Sequence, residues 1–178
     1  MHALGVASTK FVELESVLYF LFGTLFSLGR DDQIMVVAKI GDEAALTLMQ
    51  QKLERLDWPP NVKELIVHFI DAFNICNENR AALAHSGVAW AGPFGRTLLF
   101  KTTKKGKAHG AAPKLAELRR VADDINRFCD YGRSLGNAIN QRLASDPPWS
   151  PGGVFPLPHK LPSPHKLEFR AGPFALEE

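Results

Sequence analysis

Arg80 and His85 lie five residues apart in Asn79-Arg80-Ala81-Ala82-Leu83-Ala84-His85-Ser86, and together they combine a permanent cation with a side chain that titrates near neutral pH. Cleavage of a phosphodiester by a ribose 2′-OH calls for both. A proton carrier must serve the hydroxyl and the leaving oxygen, and a fixed positive charge must face the growing phosphorane. The same two residues also suit an ordinary helix end, because arginine and histidine in a last turn interact favourably with the helix dipole and the final carbonyls. Around them, Asn79 and Ser86 are candidate hydrogen-bonding helpers, and Glu78 is placed to orient His85 from one side of a helix. This route is restricted to RNA, since DNA lacks the 2′-OH, and it calls for no cofactor.

Arg80-x4-His85 followed by Ser86, with Asn79 in front and Trp90 just behind, resembles the Arg-x4-6-His signature of the HEPN superfamily. The resemblance covers residues 74–90 as sequence and residues 8–145 as an order of elements: a long apolar first helix, further helices, the motif near a helix end, a short irregular insertion and a long final helix. It implies an all-α, HEPN-like helical bundle with a small β-hairpin insertion, acting as a homodimer and cleaving RNA without a metal. A noncatalytic helical dimer that binds RNA or a protein partner, an antitoxin among them, is the alternative. Ala81 departs from the polar residue that often follows the motif arginine in catalytic members.

The elements that must position these residues follow from apolar spacing. Phe11, Leu14, Leu18, Leu21, Phe22 and Leu25 recur at helical intervals, with Ser8 or Thr9 as caps. Residues 33–40 are rich in β-branched side chains, which suit a strand, but their helical surroundings favour a short helix. Asp42 caps a helix that runs to Trp58, where Pro59-Pro60 stops it. Asn61-Val62-Lys63-Glu64 reads as a capping box for the motif helix, whose stripe is Leu65, Ile66, Phe69, Ile70, Phe73 and Cys76. Asp71, Asn74, Glu78 and His85 fall on a second, polar stripe of that helix. On a straight helix Arg80 and His85 point about 140° apart. Either the helix distorts near His85, or the arginine of one copy works with the histidine of another. Pro113 begins the longest helix, with Leu115, Leu118, Val121, Ala122, Ile125, Phe128, Cys129, Leu135, Ile139 and Leu143 facing the core, and Asp123, Asp124 and Asp130 among arginines on its polar face.

Between these helices, residues 96–107 read as a hairpin carrying Arg96, Lys101, Lys104, Lys105 and Lys107 and no acid. Such a cluster suits RNA phosphates, and equally an edge strand protected by lysines. Lysine plus arginine against aspartate plus glutamate is 7 to 11 in residues 1–90 and 11 to 5 in residues 91–146, so the middle of the chain is basic although the whole carries only +2.

Length and composition set the frame. With 178 residues, 46% of them hydrophobic, one core is expected, in a domain over residues 1–146 followed by a Pro-rich extended tail over 147–178. Eight of the twelve prolines lie in that tail, which excludes regular helix there, and Pro-His-Lys-Leu occurs twice, at 158–161 and 164–167. His159 and His165 fall short of a metal-ligand set. Cys76 and Cys129 lack ligand or disulfide spacing and read as reduced core thiols, which suits a cytoplasmic protein. The apolar run over residues 17–28 is too short to span a membrane and follows Glu13 and Glu15 rather than basic residues; a buried helix with one face against a second copy is expected.

Overall fold

The computed structural model describes residues 2–91, 96–102, 108–111, 113–145, 148–149 and 156–171. The chain is mostly helical. In order it forms α1 (His2–Phe26), α2 (Arg30–Ile40), α3 (Asp42–Arg55), α4 (Pro60–His85), β1 (Gly87–Ala91), β2 (Arg96–Thr102), β3 (Ala108–Ala111), α5 (Leu115–Leu143) and β4 (Arg170–Ala171). By packing it divides into two units, one of Met1–Phe11, Asn74–Ile125 and Pro164–Glu178, the other of Val12–Phe73 and Asn126–Ser163. Among the described residues no single helix is long and apolar enough to cross a membrane; α1 and α2 meet that length and composition only as a pair bent by 112°.

The unit containing α2 and α3 holds the larger apolar core. Leu14, Leu18, Leu21, Phe22 and Leu25 of α1 are buried with Met49, Ile66, Phe69, Phe128, Leu135 and Ile139. Gly132 and Gly136 let α5 come close to its neighbours. A Cβ at these positions would lie 2.4 Å from Val17 Cγ1 and 2.3 Å from Phe20 Cε1, well inside contact distance. The apolar run of α1 is thus largely covered by its own chain, not left for a second copy as the sequence suggested. Single exposed apolar side chains lie on α1, α3, α4 and α5, at Val12, Leu48, Val67 and Leu115, and four, Ile34, Met35, Val36 and Ile40, on α2. This segment is a helix, as its surroundings favoured, but Val37 is its only buried side chain. In the same unit the His68 ring packs against Phe128 and Tyr131, at 5.6 and 5.7 Å between centroids, and Tyr131 donates its hydroxyl to the Leu65 carbonyl at 3.1 Å.

The other unit carries a four-stranded antiparallel sheet in the order β1-β2-β3-β4, with Ala91 opposite Arg96, Leu99 opposite Ala111 and His109 opposite Ala171. The hairpin expected over residues 96–107 is present as β2 and β3, and the sheet adds a strand on either side of it. The segment after the motif forms a strand of its own, and β3 gains a partner from beyond residue 164, a long-range pairing that local turn signals cannot announce. Arg96 and Lys101 belong to β2, while Lys104, Lys105 and Lys107 lie outside the described residues.

Helix ends depart most from expectation. Thr9 lies inside α1, its hydroxyl donating to the Gly5 carbonyl at 3.0 Å, so neither Thr9 nor Ser8 caps the helix. Asp42 is the first residue of α3 rather than its cap, which is Gly41 at φ 80°. Asn61 sits within α4: Pro60 opens the helix, and the Pro59 carbonyl takes the Val62 and Lys63 amides. Pro60 needs no amide partner there, and its fixed φ is already helical. Half of a capping box forms at α5, where the Lys114 amide donates to Glu117 Oε2 at 2.7 Å, although lysine offers no acceptor for the reciprocal bond. On α5 itself, Leu115 is 55% exposed and Asp124 only 8%, the reverse of the expected faces.

Candidate functional site

α4 runs unbroken to His85, and the Ser86 amide still donates to the Ala82 carbonyl at 3.2 Å. Arg80 and His85 therefore keep the separation that a straight helix dictates, and the helix does not bend to bring them together. The guanidinium of Arg80 lies 5.3 Å above the ring of Phe11, which is 1% exposed, in a cation–π contact. His85 is exposed, as are Asp71, Asn74 and Glu78, so the expected polar stripe of α4 exists.

His85 faces an open groove of about 780 Å³. One wall is α4, with Glu78, Asn79, Ala82, His85 and Ser86; the other is the extended segment with Lys166, Leu167 and Phe169. Arg80 is not part of it. Small side chains at Ala81 and Ala82 leave room on the helix side. Ser86 Oγ is buried in the wall and has no hydrogen-bond partner among the described residues.

The second wall was not legible as part of the site, and Asn79 is the residue that builds it. Its amide donates from Nδ2 to the His165 carbonyl at 2.7 Å and accepts the Leu167 amide on Oδ1 at 2.9 Å. A side-chain amide thus pairs with both backbone groups of an extended segment, as a neighbouring strand would. Asn79 is 3% exposed and committed to this contact, so it braces the groove instead of serving a substrate. The buried carboxylate of Asp124 accepts the His165 amide at 2.8 Å. Glu78 pairs with Lys166, not with His85. His165 Nε2 approaches Glu117 Oε1 at 3.7 Å, beyond hydrogen-bond length, so this is a loose ion pair when the ring is protonated. The histidine is half-buried rather than exposed.

Two sequence signals pointed here. Asp124 interrupts the apolar stripe of α5 three residues after Val121 and four before Phe128, where an acid must find a donor. Pro-His-Lys-Leu is repeated, and each copy sets its lysine against a glutamate of α4: Lys160 on Glu64 at 3.0 Å in one unit, Lys166 on Glu78 in the other.

Among the described residues, no group of three or more histidine, cysteine, aspartate or glutamate side chains is placed to hold a metal ion. No protein-family model matches the chain, and neither a curated protein nor a solved structure matches it.

Proposed function

We propose that the protein is a metal-independent endoribonuclease of the HEPN type that acts as a homodimer in the cytoplasm. The observation that carries this reading is the division of chemistry on α4. His85 stands exposed in an open groove, while Arg80 is held by Phe11 outside it. A proton carrier and a phosphate-binding cation that cannot meet in one chain can meet when the His85 of one copy faces the Arg80 of the next. His85 then moves protons to and from the 2′-OH and the leaving oxygen, and Arg80 stabilises the phosphorane.

The reading is tested by incubating purified protein with a mixed RNA pool in EDTA and identifying the product ends. His85→Ala is expected to lower cleavage on the order of a hundred- to ten-thousand-fold, with 2′,3′-cyclic phosphate ends on the parent's products. Mixing inactive His85→Ala with inactive Arg80→Ala should restore about a quarter of the parent rate, since half of randomly formed dimers are mixed and each has one intact composite site. No activity in the folded parent, or no recovery on mixing, counts against it.

A noncatalytic helical dimer that binds RNA or a protein partner is the second reading. It is favoured by one observation: Asn79 and Glu78 of the motif are both occupied by the segment over residues 165–167.

A further inference from the structure

A larger groove, of about 900 Å³, lies away from the motif and wholly within the unit of Val12–Phe73 and Asn126–Ser163. It is lined by α1, the start of α2 and the end of α5. Residues 16–27 are largely apolar, yet all four hydroxyl side chains among them, Ser16, Tyr19, Thr24 and Ser27, face this groove. Two glycines fix its shape. The Gln33 side chain lies over Gly23 so closely that a Cβ there would overlap its amide, and the Phe20 ring lies against Gly136 in the same way. Both groove residues are thus seated against helix backbone, which spares a ligand the cost of ordering them.

The lining selects the ligand. Among the described residues Arg30 is the only charged side chain in it, and its guanidinium forms no ion pair there. Asp31 and Asp32 follow Arg30 in sequence but point about 100° and 160° away from it around α2, and neither lines the groove. Next to Arg30 the surface is apolar, with Phe20, Ile34 and Leu143. Ile34 is 47% exposed, so hydrocarbon seated there covers a side chain that the fold leaves in water. Tyr19 stands near the other end, about 12 Å before Ser27 at the helical rise. Burial raises its phenol pKa, and the negative charges of Asp42 and Glu15 raise it further, so this end repels an anion. The hydroxyls of Ser16 and Thr24 are committed as donors, to the Val12 carbonyl at 3.1 Å and the Phe20 carbonyl at 3.0 Å, and have only lone pairs left to offer. The groove therefore fits a molecule with one anionic head and an apolar body, and rejects a second negative charge at the far end.

We propose that this groove binds a medium-chain aliphatic carboxylate, with the carboxylate on Arg30 and the chain along Phe20, Ile34 and Leu143. Its volume is that of a small-molecule site. The ligand is small and the groove open, so the dissociation constant is on the order of 0.1 mM. The inference is independent of RNA cleavage, because none of these residues belongs to the groove beside His85 and the readout is binding rather than activity.

Titration of the full chain with sodium decanoate, followed by calorimetry and NMR, tests it. The parent should bind saturably. Arg30→Gln should weaken binding about tenfold by removing a charge-assisted contact, and Ile34→Gln should weaken it as well; both alter exposed side chains, so the fold is kept. Lys39→Gln, on α2 but outside the groove, should leave binding unchanged. Decylamine, with the same chain and the opposite charge, should not compete, and decanedioate should bind more weakly because its second carboxylate meets the Tyr19 end. Absence of saturable binding by the parent overturns the inference, as does binding indifferent to Arg30→Gln or competition by decylamine, either of which would mark a groove that takes any hydrocarbon. Equal affinity for decanedioate overturns the rejection of a second anion.

Discussion

Asn79 looks from its neighbours like a helper of Arg80 and His85, yet its amide is taken up by the backbone of residues 165 and 167. Removing it leaves a donor and an acceptor of that segment unpaired next to a buried Leu167. Asn79→Ala is therefore expected to lower stability by about 1–3 kcal/mol, and to speed proteolysis near residues 160–170, which denaturant unfolding and limited digestion would measure. Asn79→Asp keeps the acceptor for the Leu167 amide and loses the donor to the His165 carbonyl, so it should fall between the two. A catalytic helper would give the opposite pattern, with lost activity and intact stability. The motif residues were legible in the sequence because each has an unusual side chain for its place. Their roles were not, because the partner of Asn79 lies 86 residues further along the chain and no local pattern records it.

At the level of elements, apolar spacing located α1, α3, α4 and α5, since burial of one stripe is a property of the segment itself, while α2, with one buried side chain, was assigned from its helical surroundings. Ends were less legible, because a cap depends on one or two residues and several candidates compete. α1 shows this. A glycine lies two residues on, at Gly29, but the helix closes at Ser27, which adopts φ 55° while the Leu28 amide donates to the Gly23 carbonyl at 2.9 Å. That is the Schellman closure, in which glycine is the usual residue because it has no Cβ to strain. Ser27→Gly should accordingly raise stability by about 0.5–1 kcal/mol without altering the fold. A thermal melt showing a loss would mean that the serine side chain matters to the loop before α2. The strands were less legible: β2 and β3 follow the expected hairpin, but β1 and β4 went unforeseen, and β4, with only two residues, has no periodicity to detect.

The chain as a whole should be squeezed from both ends of the pH scale by groups packed together in one unit. Burial lowers the His68 pKa, and the nearby charge of Lys160 lowers it further. The unfolded chain, with an ordinary histidine near about 6.5, then binds more protons than the fold, so the stability tied to neutral His68 is present above that value and is lost as pH falls through the folded pKa. Burial raises the Tyr131 phenol, with Glu64 adding to the effect, and this contribution is present below about pH 10 and is lost as pH rises further. Melting temperatures across pH should be level between these limits and fall on either side. His68→Phe should flatten the acid side and Tyr131→Phe the alkaline side; an unchanged limb in either variant would assign that limb to other groups.

The bond from Leu167 to Asn79 spans 88 residues, and this sets an order of events during synthesis. A growing chain carries Arg80 and His85 long before residue 167 is made, so the second wall of the groove cannot exist until that segment has emerged. If the finished groove is what grips RNA, competence arrives only when residues 165–167 have closed onto α4.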